Sequence, residues 1–229
     1  MSNQQNDLTW RETELGRVPI STRYDDPYYS LDNGLAETEH VFIAGNDLTA
    51  RFNQTLHVAE LGFGTGLNFL ATLEAWFRAD HLRPLTFTSF ERFPLSQGQA
   101  SEAMMAFSQV GQLAARLLAV WDQALEGPTE VSPNITLHVI TGDVRESLPA
   151  WDGLADAWFL DGFSPAKNPD MWEPELMQAV ADHTAPGGTL ATYTAAGHVR
   201  RSLEDAGFTI TRTPGFARKR HMTRGVLAP

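Results

Sequence analysis

Apolar positions along this chain follow two alternating rhythms. Short runs of apolar and β-branched residues alternate with stretches whose apolar residues fall three and four apart. Leu56–Leu61, Leu85–Phe90, Ile135–Ile140, Ala155–Leu160 and Thr189–Thr194 predict five buried strands. Leu67–Ala79 sets Leu67, Leu70, Leu73, Trp76 and Phe77 on one helical face. Ser96–Leu125 predicts a helix in two pieces around Gly111, and Glu175–His183 and Val199–Ala206 predict two more. Phe208–Thr213 and Met222–Leu227 predict an antiparallel pair at the end of the chain. The first fifty residues carry turn formers instead, as in Tyr24-Asp25-Asp26-Pro27 and Asp32-Asn33-Gly34.

Strands alternating with helices predict an α/β fold whose mostly parallel sheet is covered on both faces. The expected sheet has seven strands. Residues 1–50 are expected to form an N-terminal extension packed on a core built from residues 51–229. In such sheets ligands bind outside the carboxyl ends of the strands, so chemistry is expected just after each strand.

Composition narrows the chemistry. The absence of cysteine among 229 residues excludes disulfides, thiolate metal sites and a cysteine nucleophile. The seven histidines show no metal-ligand spacing, and His57 and His138 sit within strands as packed residues. The start, Met1 to Asp7, is polar, and no apolar run approaches membrane-spanning length, which predicts a cytoplasmic protein. The net charge of −11 argues against a nucleic-acid partner. Its distribution argues less strongly. From Ala191 to Pro229 there are seven basic residues and two acidic ones, a local +5 on an otherwise acidic body.

The first candidate ligand loop follows the strand at Leu56–Leu61 and reads Glu60-Leu61-Gly62-Phe63-Gly64-Thr65-Gly66. Glycines let the chain turn sharply, and the helix that starts next aims its free N–H groups at a ligand. A dinucleotide fingerprint would have its third glycine at position 67, where Leu67 stands instead. Three more acids follow strands. Glu91 ends the second strand, where a carboxylate can accept both hydroxyls of a ribose. Asp143 follows the third, in Thr141-Gly142-Asp143, and Asp161 the fourth. The pattern E-x-G-x-G-x-G resembles the first motif of class I S-adenosylmethionine-dependent methyltransferases, a Rossmann-like fold. Ala185-Pro186-Gly187-Gly188-Thr189-Leu190 and Asp205-Ala206-Gly207-Phe208 look like further landmarks of that class.

A longer segment is more specific. Asp161-Gly162-Phe163-Ser164-Pro165-Ala166-Lys167-Asn168-Pro169-Asp170-Met171-Trp172 closely resembles the active-site segment of the methyltransferase half of the MnmC family, the tRNA 5-methylaminomethyl-2-thiouridine biosynthesis proteins. Glu60–Phe69, Ser89–Leu95, Asp32–Leu35 and Gly215–Val226 are similar too, so the resemblance spans nearly the whole chain. Ser164 stands where alanine is expected, and the surroundings of Asp143 differ modestly.

The resemblance implies methylation of the primary amine of 5-aminomethyl(-2-thio)uridine at the tRNA wobble position. It assigns cofactor contact to Glu60, Gly62, Phe63, Gly64, Gly66, Asn68, Glu91, Asp143 and Asp161, with Asp161 also catalytic. Asp143 would meet the adenine amino group. Tyr28 and Asn33 could close over the cofactor, although local turn packing accounts for them better. Phe163, Pro165 and Trp172 would flank an everted base, Trp172 being equally suited to packing. Lys167 would meet a phosphate or lie in solvent. By charge and position, Arg218, Lys219 and Arg220 would grip phosphates of the anticodon arm or be solvated surface charges. Bifunctional relatives add a flavin-dependent oxidase that makes the free amine. These 229 residues hold no second glycine-rich motif for it, so that partner is expected elsewhere, on the same chain or a separate one. Attack by an exocyclic nitrogen or oxygen also agrees with the missing cysteine, since methylation at a uridine ring carbon usually needs a covalent nucleophile. Three other functions fit parts of the pattern. They are a methyltransferase of a small-molecule amine, a non-catalytic module binding the cofactor or RNA, and, against Leu67, a nicotinamide oxidoreductase.

Overall fold

The computed structural model describes residues 8–14, 16–79 and 83–229. The polar start at residues 1–7, and the expectation drawn from it, lie outside them.

Strands form early in the chain, where only turns were expected. β1 (Leu8–Thr13) and β2 (Gly16–Ser21) pair antiparallel, and β3 (Asp26–Pro27) adds to β2 as a short edge. Alternation is weak in β1, which has no buried residue, so its pairing was not legible. α1 (Gly34–Thr38) follows, capped by Asn33, whose side chain accepts from the Ala36 N–H at 3.0 Å. One wide turn, Glu39–Ile43, then buries Val41, Phe42 and Ile43 ahead of α2 (Leu48–Arg51).

The remainder alternates as expected. The order is β4 (Leu56–Leu61), α3 (Leu67–Arg78), β5 (Leu85–Glu91), α4 (Gln97–Met104), α5 (Gly111–Ala119) and α6 (Trp121–Glu126). Then come β6 (Thr129–Ser132), β7 (Ile135–Thr141), α7 (Val144–Ser147), β8 (Ala155–Leu160) and α8 (Pro174–Asp182). β9 (Thr184–Thr192), α9 (Gly197–Asp205), β10 (Phe208–Pro214) and β11 (His221–Leu227) complete the chain.

The main sheet has eight strands, not seven, in the order β10-β11-β9-β8-β4-β5-β7-β6. β9, β8, β4, β5 and β7 run parallel. β6 is the unexpected strand. It is short, pairs antiparallel to β7 and contains a register shift, so it leaves little periodic signal. β11 pairs with both β9 and β10, so it is an inner strand, and β10 forms the edge. The segment expected as two helical pieces is three helices, and Gly111 opens α5 where it was expected to break a helix. β9 starts at Thr184, before the Pro186-Gly187-Gly188 stretch, which the sheet absorbs as a register shift against β8.

Strand alternation feeds two cores. Val58, Phe87, Leu137 and Phe159 meet Phe69, Leu70, Leu73 and Trp76 of α3 and Leu117 and Trp121 on one face. Ala59, Leu61, Phe90, Trp158 and Leu160 meet Leu176, Met177 and Val180 of α8 and Val199 and Leu203 of α9 on the other. Phe77, expected on the buried face of α3, is 44% exposed. No helix of the described residues is long and apolar enough to cross a membrane.

Candidate active site

A cavity of about 430 Å³ opens at the carboxyl ends of the parallel strands. That volume lies within the range of small-molecule sites. Its floor comes from the residues after β4, β5, β7, β8 and β9. Its walls include most of the stretch Ser21–Asp32 with residues of α1 from the N-terminal segment, and Lys219 from the turn before β11.

The loop after β4 is built on left-handed glycines. At Gly64 (φ +52°) a Cβ would come within 3.2 Å of Tyr28, narrowing the cavity. Gly66 (φ +76°) serves packing instead: a Cβ there would lie 2.9 Å from Leu117 and press on Phe63 and Trp121. Gly62, Phe63, Gly64 and Asn68 line the cavity, whereas Gly66 does not. Phe63 is also buried, with its ring against Trp121 at 5.2 Å.

Glu91 at the end of β5 accepts from the Gly64 N–H at 2.9 Å and the Phe93 N–H at 2.7 Å. It therefore braces the glycine loop while facing the cavity. Burial raises its pKa against the pull of those backbone donors.

Asp143 caps α7 and is held by the Arg145 guanidinium at 3.0 and 2.8 Å and by Arg92 at 3.0 Å. The Arg145 hydrogen bonds bring its carboxyl down to about 2.

Asp161 after β8 has no cation within bonding distance among the described residues. Its Oδ2 accepts from the Asn68 side chain at 2.7 Å and its Oδ1 from the Gly162 N–H at 2.8 Å. Burial pushes its pKa up to about 6, with the hydrogen bond from Asn68 opposing. Asn68 is fully committed. It also donates to Glu60 Oε1 at 2.7 Å, and its oxygen accepts from Thr38 Oγ1 at 2.8 Å. Glu60 is fully buried, does not line the cavity, and accepts from Ser89 Oγ at 2.6 Å. Burial pushes it up to about 8. The direct cofactor contact expected of Glu60 is therefore corrected: it lies beneath the site and acts through Asn68.

The aromatic wall differs from expectation in part. Phe163 faces the cavity, stacked on Tyr24 at 4.7 Å and edge-on to Tyr28 at 5.2 Å. Trp172 is 2% exposed and donates its indole N–H to the Phe163 carbonyl at 3.0 Å. It supports the Phe163 loop and has no free face for a base. Pro165 and Lys167 do not line the cavity. Lys167 instead ties its loop to the N-terminal segment through the Asp25 carbonyl and carboxylate and Asp26 at 3.5 Å. The Ser164 N–H does the same with Asp26 Oδ2 at 2.8 Å. Of the two residues expected to close over the cofactor, Tyr28 lines the cavity and Asn33 caps α1.

The three consecutive basic residues separate. Arg218 is 91% exposed at its side chain, with Asp32 at 3.8 Å, and Arg220 is exposed. Lys219 turns into the cavity, 2.8 Å from Glu37 Oε1 and 4.1 Å over the Tyr193 ring. Sequence reasoning missed Tyr193, Glu37, Arg92 and Arg145, all of which line the cavity. Tyr193 follows β9, where a strand end was a signal, but the strand was expected to run through it.

The residues present fit a nucleoside carrying a charged tail. The loop at Gly62–Gly64 leaves room for close approach, Glu91 offers an anionic acceptor, and the cavity holds both apolar rings and charges of both signs.

The family profile described as S-adenosyl-L-methionine-dependent methyltransferase matches residues 108–228, just over half of the chain. Among solved structures, MNMC2 from Aquifex aeolicus superposes with a TM-score of 0.82 at 23% identity, over 97% of this chain and 71% of that one. The N-methyltransferase NodS from Bradyrhizobium japonicum WM9 gives 0.50 at 13% identity, over 86% and 99%. At these identities the likeness is one of fold.

Proposed function

The chain belongs to a family of S-adenosyl-L-methionine-dependent methyltransferases, and on that premise we propose that it methylates the exocyclic amine of 5-aminomethyl(-2-thio)uridine at the wobble position of tRNA. The observation that carries this reading is Asp161: a carboxylate at the cavity floor, held by neutral donors, with its pKa lifted to about 6.

Glu91 would accept the ribose hydroxyls and the Gly62–Gly64 loop would carry the cofactor's middle. Asp143, held by Arg145 and Arg92, would meet the adenine amino group at the same end of the cavity. When bound, S-adenosyl-L-methionine supplies a methyl group on a positively charged sulfur, which a neutral amine can attack. A primary amine arrives mostly as ammonium, which has no free electron pair. Asp161 attracts that ammonium, orients it and takes one proton on a carboxylate oxygen. A base with a pKa near the working pH is suited to this transfer. Holding the nitrogen in line supplies much of the remaining advantage, up to about 7–11 kcal/mol in well-oriented systems.

Phe163, backed by Tyr24, supports a base-stacking role, and such stacking contributes about 1–3 kcal/mol per base. Arg218 and Arg220, exposed near the cavity mouth, support phosphate contact with the anticodon arm. The free amine must come from an earlier oxidative cleavage, the work of a flavin-dependent oxidase on the same or a separate chain. A soluble, cytoplasmic setting is part of this proposal.

The test is incubation with methyl-labelled cofactor and tRNA from cells lacking the modification, followed by nucleoside mass spectrometry. Label in 5-methylaminomethyl(-2-thio)uridine is expected. Label on small amines, with tRNA untouched, would return the small-molecule alternative.

A further inference from the structure

The Lys219–Glu37 pair has no part in the chemistry above. Glu37 lies on α1 and Lys219 on the turn before β11, so the chain brings together charges 182 residues apart. The Glu37 carboxylate is 12% exposed and Lys219 is 43% exposed, both within the cavity lining. Lys219 Nζ stands over the Tyr193 ring at 4.1 Å and donates to Glu37 Oε1 at 2.8 Å. Charges this close to Asp161 also act on it. After burial and its two hydrogen bonds, Glu37 raises the Asp161 pKa and Lys219 lowers it. An ion pair at a half-open surface adds little stability by itself.

Sheet order says which end of a ligand meets this pair. The strands β7, β5, β4, β8 and β9 lie side by side, about 4.8 Å apart. Asp143, Glu91, Gly62–Gly64, Asp161 and Tyr193 therefore form a row in that order. The cofactor has a nucleoside at one end and an α-amino acid at the other, the latter carrying an ammonium and a carboxylate. With the ribose at Glu91 and the adenine toward Asp143, the amino-acid end points toward Tyr193. At the Asp143 end the two arginines are already bound to Asp143. At the Tyr193 end one cation and one anion stand together, each satisfied chiefly by the other.

We propose that Glu37 and Lys219 form the amino-acid subsite of the cofactor, Glu37 receiving its α-ammonium and Lys219 its α-carboxylate. Binding exchanges the bond within the pair for two charge-assisted bonds to the ligand, which are short and strong. Tyr193 keeps the Lys219 ammonium in place by its ring face. Lys219 thus leaves the phosphate-binding role that its neighbours Arg218 and Arg220 retain. The inference rests on the ribose assignment of Glu91 and is independent of the RNA reading.

The test is calorimetric titration with two ligands, without RNA and without turnover. S-adenosylhomocysteine carries the amino-acid end, and 5′-methylthioadenosine lacks it. In Glu37→Gln and Lys219→Met, S-adenosylhomocysteine affinity is expected to fall at least about tenfold, the scale of one hydrogen bond to a charged group. Affinity for 5′-methylthioadenosine should stay within about twofold of the parent's, which also shows that the cavity is intact. Unchanged S-adenosylhomocysteine binding would overturn the proposal, as would equal losses for both ligands, the mark of a scaffolding pair. A loss of tRNA affinity alone in Lys219→Met would overturn it too, and would leave the substrate reading standing.

Discussion

Asp143 and Asp161 both follow parallel strands, both line one cavity, and they sit in opposite surroundings. Asp143 meets two guanidinium groups and is held at about 2. Asp161 meets an amide and a backbone N–H, is buried, and is held at about 6. One carboxyl never carries a proton near neutrality, and the other can take and release one. Environments that push two carboxyls apart in this way separate their roles. Position after a strand selects which residues face the ligand, and the neighbours decide what they do there.

The sharpest way to break that contrast is to neutralise each acid in turn. Asp161→Asn keeps the shape but takes no proton, so turnover should fall by at least about a hundredfold, the lower range for a lost general base. The parent's kcat/KM, which reports the free enzyme, should rise with pH through about 6 and then flatten, and the variant should lack that limb. Asp143→Asn should leave the limb in place. Methylation assays at a series of pH values from about 5 to about 9 check both, with cofactor affinity measured alongside. An Asn variant as active as the parent at pH 7 would remove Asp161 from the mechanism.

The next effect lies in stability, from the acid beneath Asp161. Folded Glu60 holds its proton up to about 8, against 4.5 when exposed. Between those values the folded state binds more protons than the unfolded one, so stability falls as pH rises. The contribution is intact below the unfolded pKa and lost as pH passes the folded one. Asp161 adds a decline of the same sign from 3.8 to about 6. Glu60→Gln should therefore flatten the upper part of the decline, with a gain on the order of a few kcal/mol by pH 8. Urea unfolding at a series of pH values measures it. A variant whose decline matches the parent's would mean that Glu60 is ionised in the folded protein.

The same contrast explains what was legible in the sequence. β4, α3, β5, β7, β8 and the β10–β11 pair lie within about two residues of the expected bounds, since buried strands and one-faced helices leave strong periodic signals. β1 and β6 are partly exposed, short or irregular, and left none. The acids after the strands were legible because topology alone brings them to one edge. Their partners were not. Arg145 is two residues from Asp143, yet Asn68 reaches Asp161 from 93 residues away and Lys219 reaches Glu37 from 182. For Trp172 the sequence leaves base contact and packing equally open, because it does not reveal that the indole N–H turns back to the Phe163 carbonyl.

A smaller effect is expected at Glu91. Glu91→Gln keeps one oxygen for either the Gly64 or the Phe93 N–H and sets an amide donor against the other. Loss of the ribose acceptor and loosening of the glycine loop should together weaken cofactor binding by about 1–3 kcal/mol. Calorimetry showing parental affinity would rule out the ribose role and leave Glu91 as a brace for the loop.

The smallest effect belongs to the outermost charges. Arg218 and Arg220 flank Lys219 on the turn before β11, and β11 runs antiparallel to β9, which brings that turn to the cavity side of the sheet. Arg218 is 91% exposed with a distant partner, so it forms little that a phosphate would have to displace. A basic side chain that neutralises one phosphate changes the slope of log affinity against log salt by about 0.7–0.9. Arg218→Ala and Arg220→Ala should each weaken tRNA binding several-fold at low salt, flatten the slope by about that amount and leave cofactor affinity unchanged. The acidic body makes this a stringent test, because a net charge of −11 opposes RNA binding overall and leaves it to local basic patches. Binding isotherms at four or more salt concentrations provide the slope. If both variants keep the parent's affinity and slope, the turn is an ordinary charged surface, and a small-molecule amine becomes the better candidate for the group that meets Asp161.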